Sequence, residues 1–283
     1  MFGAEIDLDC VDLDAYCARV GYRGPRDPTL STLRELHRLH PAAIPFETFD
    51  ARLGLGVDLA APAIDAKLIR GGRGGYCFEQ NILFLRALRS LGFDAEPLIA
   101  RSLWGRAPGE THPRTHMAVR VGVEGRPWLA DVGFGGCMMT TPIRLDLSEP
   151  QETRHEPARL SPLGDELRLE RLIGGQWLPV YDLAPTRQRA ADLMGANWLI
   201  STHPDSPFRH RLVVSRTCDE VRHVLVDARL TTRRSDRGAE RRELGAAEME
   251  ACLSNLFGLP VMETWRPLLR RLASATTPNR PGG

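Results

Sequence analysis

The sequence has 283 residues, a length typical of about two domains. Of these residues 42% are hydrophobic, which is enough to build a sizeable core. Its 37 lysine and arginine residues almost balance 36 acidic residues, which leaves a formal net charge of +1. So small a charge gives no long-range attraction to nucleic acid or to an anionic membrane, and neither is an expected partner.

The N-terminal stretch MFGAEIDLDCVDLD is acidic and lacks the basic start and apolar core of a secretion signal. No stretch of the chain reaches the roughly 18 continuous apolar residues of a membrane span. The six cysteines, which show neither CxxC pairs nor the Cys/His spacing of zinc sites, are Cys10, Cys17, Cys77, Cys137, Cys218 and Cys252. We therefore expect a cytoplasmic protein with reduced thiols and no metal.

The first ninety residues are predicted to be mainly helical. After Pro28 and Thr29, which favour a helix start, leucines recur at helical spacing at positions 30, 33, 36 and 39. A second helix is predicted to begin near Cys77 and to run to Leu91, where Gly92 follows as a stop signal.

Between Asp94 and about Tyr181 the pattern changes to short strands separated by Gly and Pro. In RTHMAVRVGV the apolar residues alternate, which indicates a strand. Glu124-Gly125 follows as a two-residue hairpin turn into a second strand, PWLADVGF.

The last third of the chain is predicted to combine strands and helices. RLVVSRT and HVLVDARLTT are typical of strands, whereas GAAEMEACLSNLFGL is typical of an amphipathic helix. The charged stretch TTRRSDRGAERRE is interpreted as a solvated turn and helix face, because no aromatic residues interleave its arginines for base stacking. The final SATTPNRPGG is expected to fray.

The segment RGGRGGYCFEQN, residues 70–81, is the most informative motif. Its four glycines precede Cys77, which opens a predicted helix. A thiol at a helix N-terminus faces unpaired N–H groups and the positive end of the helix dipole, and both favour the thiolate. A phosphate-binding loop is the rival interpretation, but its GK[ST] sequence is absent. For Cys77 considered alone, a buried cysteine that caps the helix remains an alternative.

A nucleophilic cysteine needs a base, and the base needs an orienting carboxylate. With a two-residue turn at 124–125, residue 123 pairs with 126, and His116 becomes the diagonal neighbour of Asp131 on one face of the hairpin. Together with Cys77 they form a candidate Cys-His-Asp set. Its chain order is Cys, His, Asp, with 39 residues from Cys77 to His116 and 15 from His116 to Asp131. The first spacing differs from the papain type, in which the histidine follows the cysteine by about 130 residues.

Three motifs resemble the signatures of the arylamine N-acetyltransferase family. They are RGGYCFE around Cys77, PRTH followed by a strand at His116, and DVGFGG from Asp131 to Gly136. GYRGPRDPTLSTLRELHRLHPAAIPFE resembles the N-terminal helical segment of the family, and NWLISTHPDSPF resembles its interdomain segment. The resemblance extends over nearly the whole chain.

The resemblance implies an α+β, papain-like cysteine-nucleophile fold with an N-terminal helical bundle, a β-barrel and an α/β lid. The helical domain with the catalytic cysteine would span residues 1–92, and the barrel with the catalytic histidine and aspartate would span 93–190. An interdomain segment would follow at 191–212, and the lid would occupy 213–283.

The resemblance also implies roles for particular residues. The catalytic triad would be Cys77, His116 and Asp131. Phe46, Phe134 and Phe208 match positions that line the acceptor pocket in bacterial members, and Arg73 and Glu47 match a charged pair that braces the catalytic loop. Thr115 and Gly135 are the candidate coenzyme contacts. Thr48 departs from the family pattern, which has asparagine after IPFE.

The implied function is acetyl-CoA-dependent N-acetylation of arylamines or arylhydrazines, a reaction of xenobiotic metabolism, by a ping-pong mechanism through an acetyl-cysteine. Acetyl-CoA would be a co-substrate, no metal would take part, and the protein would be a monomer or a homodimer. Amide synthases that close ansamycin macrolactams use the same triad and are the nearest alternative. More distant alternatives are a cysteine protease or transglutaminase, and a non-catalytic binding module with a vestigial triad.

Overall fold

The computed structural model describes residues 6–107, 109–234 and 238–276. The α-helices in these ranges are α1 (Leu13–Val20), α2 (Leu30–Ala43), α3 (Phe49–Leu53), α4 (Ala61–Ile64), α5 (Cys77–Ser90), α6 (Ala190–Thr202), α7 (Pro207–His210), α8 (Ala246–Asn255) and α9 (Arg266–Thr276). A π-helical turn (Asp65–Arg70) continues α4, and a 3-10 turn (Glu263–Trp265) precedes α9.

The strands in the same ranges are β1 (Phe46–Glu47), β2 (Asp94–Ser102), β3 (His116–Val123), β4 (Arg126–Ala130), β5 (Ile143–Arg144), β6 (Ala158–Leu163), β7 (Glu166–Ile173), β8 (Gln176–Ala184), β9 (Val213–Thr217), β10 (Val221–Val226), β11 (Arg229–Arg234) and β12 (Gly238–Glu243). They form two antiparallel sheets. The larger has the order β5-β4-β3-β2-β8-β7-β6, and the smaller, here called the C-terminal sheet, has the order β1-β9-β10-β11-β12.

Both predicted N-terminal helices are confirmed. Thr29 caps α2 by accepting a hydrogen bond from the Thr32 N–H at 3.2 Å, and Leu33 and Leu36 on its inner face are fully buried. The second helix, α5, begins at Cys77 and ends just before Gly92, whose φ of 85° takes the chain out of the helix. Its residues 77–88 are buried, which makes α5 the central helix of the structure.

The hairpin of β3 and β4 has the predicted register. Glu124 and Gly125 form the turn with φ angles of 51° and 71°, and Val123 pairs with Arg126. Positive φ at both turn positions matches the right-handed twist of the strands. Met117, Val119 and Val121 on one face of β3 therefore pack in the helical core, while Ala118 on the other face packs in the core of the larger sheet.

The larger sheet curls around its own core. Residues from both ends of the strand order, Leu129 of β4 and Leu160 of β6, belong to one buried cluster that also contains Leu98 and Tyr181. Strands at opposite edges can share a core only when the sheet is strongly bent, so this sheet is nearly closed and barrel-like. The prediction of a mixed α and β fold is confirmed.

The C-terminal sheet corrects the interpretation of the charged stretch as a turn and helix face. Its residues on either side of positions 235–237 belong to strands β11 and β12. Opposite charges pair across these strands, as Arg229 does with Glu243 at 2.5 Å, and Leu225 and Leu230 anchor the other face of the sheet on α8 and α9. The prediction of a turn and helix face is wrong because a sheet with one solvent-exposed face needs apolar residues only on its other face, so a densely charged stretch can still form strands.

β1 adds to the C-terminal sheet from far away in the chain, since Phe46 pairs with Ser215 and Glu47 with Val214. This pairing places the C-terminal sheet beside the start of α5. Of the C-terminal stretch expected to fray, residues 274–276 are helical, and the rest lies outside the described residues.

No helix within the described ranges is long and apolar enough to cross a membrane. All six cysteines lie in these ranges and are free thiols. Among the residues described, no group of three or more His, Cys, Asp or Glu side chains is arranged to hold a metal ion.

Candidate active site

A cleft of about 790 Å³ lies between the barrel-like sheet and the C-terminal sheet. The predicted site residues that line it are Phe46, Cys77, Thr115, His116, Phe134, Gly135 and Phe208. Asp131, Arg73 and Glu47 lie behind its wall. The structure therefore brings residues from four separate parts of the chain to one cavity.

Cys77 occupies the first turn of α5, with its side chain almost fully buried and its sulfur 3.7 Å from the carbonyl oxygen of Thr115. The preceding loop needs glycine because it passes very close to its neighbours. A Cβ added to Gly74 would lie 2.0 Å from the carbonyl oxygen of Pro45. Gly133 is similarly restricted, since its Cβ would lie 2.8 Å from the Cα of Cys77. These contacts hold the thiol against the end of the hairpin.

His116 and Asp131 form a buried pair in which Nε2 and Oδ2 are 2.7 Å apart. Burial by itself lowers the pKa of His116. The charge of Asp131 and its hydrogen bond, together with the Cys77 thiol, outweigh burial and raise that pKa to about 10. Burial favours protonated Asp131, but the charge of His116 prevails and lowers the pKa of the carboxyl. The pair is thus an imidazolium and a carboxylate at neutral pH.

Asn81, which the sequence analysis did not assign a role, fixes Asp131. Its amide donates to Asp131 Oδ1 at 3.0 Å and to the carbonyl oxygen of Met117 at 2.6 Å, and its own oxygen accepts from the Val132 N–H at 3.1 Å. The N–H of Gly133 also donates to Asp131 Oδ1, at 2.9 Å. The sequence does contain a signal for this role, because Asn81 is a polar residue four positions after Cys77 on a helix with an apolar face.

His37 also contacts Asp131, although the sequence analysis placed it only in a helix without chemical context. Its Nε2 accepts a hydrogen bond from the Asp131 N–H at 3.1 Å. Complete burial lowers the pKa of His37 to about 4, so the ring is neutral and able to accept. The backbone and the side chain of Asp131 are therefore both held.

A second buried chain of hydrogen bonds holds the glycine loop in front of Cys77. Tyr16 contacts His40 Nδ1 at 2.9 Å, and His40 Nε2 contacts Gln80 Oε1 at 2.7 Å. The amide of Gln80 then donates to the carbonyl oxygens of Pro45 and Gly75 at 2.8 and 3.1 Å. The polar residues that follow Cys77 on α5 thus position the loop on one side and the aspartate on the other.

Arg73 and Glu47 meet as expected, and they belong to a larger buried cluster. Arg73 donates from Nη2 and Nε to Glu47 Oε1 at 2.6 and 3.1 Å, and also to Asp50 at 2.8 Å. Lys67, the only lysine of the chain, binds Glu79 at 2.6 Å and Asp50 at 2.7 Å. Glu79 in turn accepts from the N–H of the residue before Cys77 at 3.0 Å. The cluster therefore connects β1, α3 and the start of α5.

Replacing Glu47 with glutamine is expected to lower the free energy of unfolding by about 3 kcal/mol, because both carboxylate oxygens accept hydrogen bonds inside the protein. Oε1 accepts from Arg73 and Oε2 accepts from the Phe49 N–H at 2.8 Å, so an amide group would face one of these donors. Denaturant unfolding followed by circular dichroism measures the change. Glu243→Gln, in the exposed pair with Arg229, is the control and should cost less than about 1 kcal/mol. Equal losses in both variants would show that Glu47 does not brace the loop.

The three predicted pocket phenylalanines line the same cleft as Cys77 and His116. Phe46 and Phe208 pack edge to face with ring centres 6.1 Å apart. Phe134 packs edge to face on His116 at 5.0 Å, and Tyr181 packs on the same imidazole at 5.1 Å. Tyr181 was not among the predicted residues, because nothing in a strand sequence distinguishes an aromatic residue beside a site from an ordinary core residue.

Thr48 departs from the family pattern, but it makes hydrogen bonds to the neighbouring strand. Its Oγ1 accepts from the Val213 N–H at 2.9 Å, and its own N–H donates to the Val213 carbonyl oxygen at 3.2 Å. The threonine therefore extends the pairing of β1 with β9 by one residue.

Known proteins resemble this chain over most of its length. A family model described as N-acetyltransferase matches residues 29–266. The arylamine N-acetyltransferase of Mycolicibacterium smegmatis is 40% identical over 255 residues, which cover 88% of this chain and 92% of that protein. The chain belongs to the arylamine N-acetyltransferase family. It is therefore an acyltransferase, as the three motifs indicated.

Solved structures of the family share the fold. The arylamine N-acetyltransferase from M. tuberculosis superimposes with a TM-score of 0.88 at 37% identity, covering 93% of this chain and 99% of that one. The enzyme from Mycobacterium marinum, solved in complex with CoA, gives a TM-score of 0.88 at 36% identity and the same coverage.

Proposed function

We propose that this protein transfers an acetyl group from acetyl-CoA to arylamine or arylhydrazine acceptors by a ping-pong mechanism through an acetylated Cys77. The observation that carries the proposal is the buried His116–Asp131 pair, 2.7 Å apart, beside a thiol in an aromatic-lined cleft. The relative from M. marinum, solved with CoA, supports CoA as the carrier.

Before the first half-reaction the Cys77 thiol has already given its proton to Nδ1 of His116, because Nε2 is engaged with Asp131 and the ring is an imidazolium. The thiolate then attacks the thioester carbonyl, and backbone N–H groups at the start of α5 stabilise the oxyanion. The carbon–sulfur bond to coenzyme A breaks, the imidazolium returns its proton to the departing thiolate, and acetyl-Cys77 remains.

In the second half-reaction the amine attacks the acetyl-Cys77 carbonyl, and a new carbon–nitrogen bond replaces the carbon–sulfur bond. His116 accepts the proton that the amine nitrogen loses. Asp131 keeps the ring in register and stabilises its positive charge. Phe46, Phe134 and Phe208 suit an acceptor with an apolar body and one reactive nitrogen.

We further propose that the chain has a papain-like arrangement of a helical domain (1–92), a barrel (93–190), an interdomain segment (191–212) and an α/β lid (213–283). Thr115 and Gly135, which line the cleft, are proposed coenzyme contacts. We also propose a cytoplasmic enzyme of xenobiotic metabolism that works without metal as a monomer or homodimer.

The direct test measures release of the free thiol of coenzyme A from acetyl-CoA, with and without a simple arylamine. We expect a burst of one thiol per protein without acceptor, followed by turnover that requires the arylamine. The macrolactam-forming amide synthase predicts neither, because its acyl donor is carrier-bound. Absence of both the burst and the arylamine-dependent turnover would reject the proposed function in favour of that alternative.

A further inference from the structure

Lys67 is exceptional in this sequence, because it is the only lysine among 37 basic residues and the other 36 are arginines. Its side chain is 14% exposed and belongs to the buried charge cluster that contains Arg73 and Glu47. An ammonium group is compact and carries three rotatable donors on one nitrogen, whereas a guanidinium group is larger and planar. A site that binds several carboxylates through one nitrogen therefore favours lysine, even in a chain that otherwise uses arginine.

The carboxylates around Lys67 form such a site. Its Nζ lies 2.6 Å from Glu79 Oε1, 2.7 Å from Asp50 Oδ2 and 3.8 Å from Glu47 Oε1. Glu47 and Asp50 also bind Arg73. Among the described residues, Lys67 is the only cation that pairs with Glu79. The charge of Glu79 therefore depends on Lys67.

Glu79 is a buried carboxylate that needs this compensation. It is 2% exposed, and burial raises the pKa of its carboxyl group. The charge of Lys67 and its hydrogen bond lower that pKa, but they offset burial only in part. Without Lys67 the group would take up a proton or turn toward solvent, because an uncompensated charge in the interior is costly. Lys67 is thus the residue that favours the carboxylate form of Glu79.

Glu79 holds the end of the glycine loop (residues 71–76) that leads into α5. Its Oε2 accepts from the Tyr76 N–H at 3.0 Å, while its Oε1 accepts from Lys67 at 2.6 Å. A Cβ added to Gly75 would lie 2.8 Å from Glu79 Oε2, so the carboxylate packs tightly against the loop. A charged acceptor makes a stronger hydrogen bond than a neutral one, so the ionised form of Glu79 holds the loop more firmly.

The main chain of Lys67 holds the other end of the same loop. Lys67 lies in the π-helical turn, in which the Gly71 N–H donates to the carbonyl oxygen of Ala66, five residues back, at 2.8 Å. Such turns are rare and often occur at functional sites. The carbonyl oxygen of Lys67 accepts from the Arg73 N–H at 3.1 Å. One residue therefore contacts the start of the loop through its main chain and the end of the loop through Glu79.

We infer that Lys67 is a positioning residue for acyl transfer, which compensates the charge of Glu79 and so holds the glycine loop with the N–H groups at the start of α5 directed at the oxyanion. The inference rests on the proposed function, because it concerns the oxyanion of the same reaction. Lys67 is not among the described residues that line the cleft, so it acts through Glu79. Oxyanion donors act mainly in the transition state, and their displacement lowers the maximal rate more than the affinity for the donor.

The test measures the rate of acetyl-Cys77 formation against acetyl-CoA concentration in Lys67→Met. We expect the maximal rate to fall on the order of 30-fold, whereas the acetyl-CoA concentration at half-maximal rate should change less than about twofold. Arg70→Met is the matched control and should change neither quantity, because Arg70 is an exposed cation in the same π-helical turn. An unchanged maximal rate in Lys67→Met would overturn the inference, whether or not the half-maximal concentration rises.

A double-mutant cycle tests whether Lys67 acts through Glu79. Glu79→Gln removes the charge that needs compensation, and the amide oxygen can still accept from the Tyr76 N–H. In the Glu79→Gln background, Lys67→Met should therefore slow acetylation by less than about threefold. An equal loss in both backgrounds would show that Lys67 does not act through Glu79.

Circular dichroism separates this role from simple stabilisation. Lys67→Met is expected to unfold at a lower temperature, because it leaves buried carboxylates uncompensated. A rate loss fully explained by the unfolded fraction, and absent in the cold where the variant is folded, would contradict the inference. If Lys67→Met does not fold, Lys67→Arg replaces it and should lose about fivefold in maximal rate, because its charge sits on a larger planar group. Full activity of Lys67→Arg would also contradict the inference, whereas failure of the wild type to be acetylated would contradict the proposed function.

Discussion

Cys77→Ala is expected to gain no acetyl group from acetyl-CoA and to lose arylamine acetylation by a factor on the order of 10⁴ or more. Within the described cleft, Cys77 is the thiol that combines a helix N-terminus with the His116 imidazole. Without its sulfur the acetyl group has no covalent carrier, and direct attack by the amine on acetyl-CoA would gain only from proximity. Intact mass spectrometry after addition of acetyl-CoA measures the result.

Cys137→Ala is the matched control for this prediction. Cys137 lines the same cleft, but burial raises the pKa of its thiol, and it lies among the arginines rather than beside His116. The variant should still gain one acetyl group. If Cys77→Ala gained an acetyl group and Cys137→Ala did not, the nucleophile would be Cys137 and not Cys77.

Asp131→Asn is expected to slow formation of acetyl-Cys77 by roughly 10³- to 10⁴-fold while leaving the fold largely intact. The charge of Asp131 is the main cause that raises the pKa of His116 against burial. With this charge, His116 stays protonated up to about pH 10; without it, burial favours the neutral ring at neutral pH, and the ion pair with the thiolate is lost. An asparagine amide can also turn its N–H toward Nε2 and impose the wrong tautomer.

The pH dependence of the His116 charge reports the same change. In the wild type, the imidazole followed by NMR should stay charged up to about pH 10, whereas in Asp131→Asn the ring should already be neutral at pH 7, because the charge that opposes burial is gone. Asp182→Asn, which disrupts the partly buried pair with Arg168 (2.7 Å) in the same sheet, is the control and should change neither the rate of acetyl-Cys77 formation nor the pH dependence of the His116 charge. Equal acylation by Asp131→Asn and wild type would remove Asp131 from the mechanism.

Local patterns predicted the parts of the fold that local interactions determine. Thr29 caps a helix because its side chain bonds to a nearby N–H, and Glu124-Gly125 sets the register because a two-residue turn leaves only one pairing. The same register puts His116 and Asp131 on one face of the hairpin. The helix at Cys77 followed from the same kind of short-range signal.

Other parts of the site depend on contacts between distant segments. The strand pairing of Phe46 with Ser215 joins residues 169 positions apart, and no local pattern marks a two-residue strand. His37, Asn81 and Gln80 were overlooked because a polar residue on a buried helix face shows its role only when its partner is known. The charged residues 231–234 and 238–243 form strands rather than the predicted turn and helix face. The local sequence does not show this, because the apolar core that supports these strands comes from α8 and α9.

The sequence by itself determined the family, the candidate triad and the helices and hairpin that hold it, because these depend on short motifs and on regular spacing. Only the tertiary structure decided which arginines line the cleft. Composition offered 36 arginines with nothing to distinguish them. Sheet register placed Arg222 opposite Arg233, and three guanidinium groups lie around Glu156. Electrostatic interactions depend on distance and burial, and neither can be read from the order of residues in the chain.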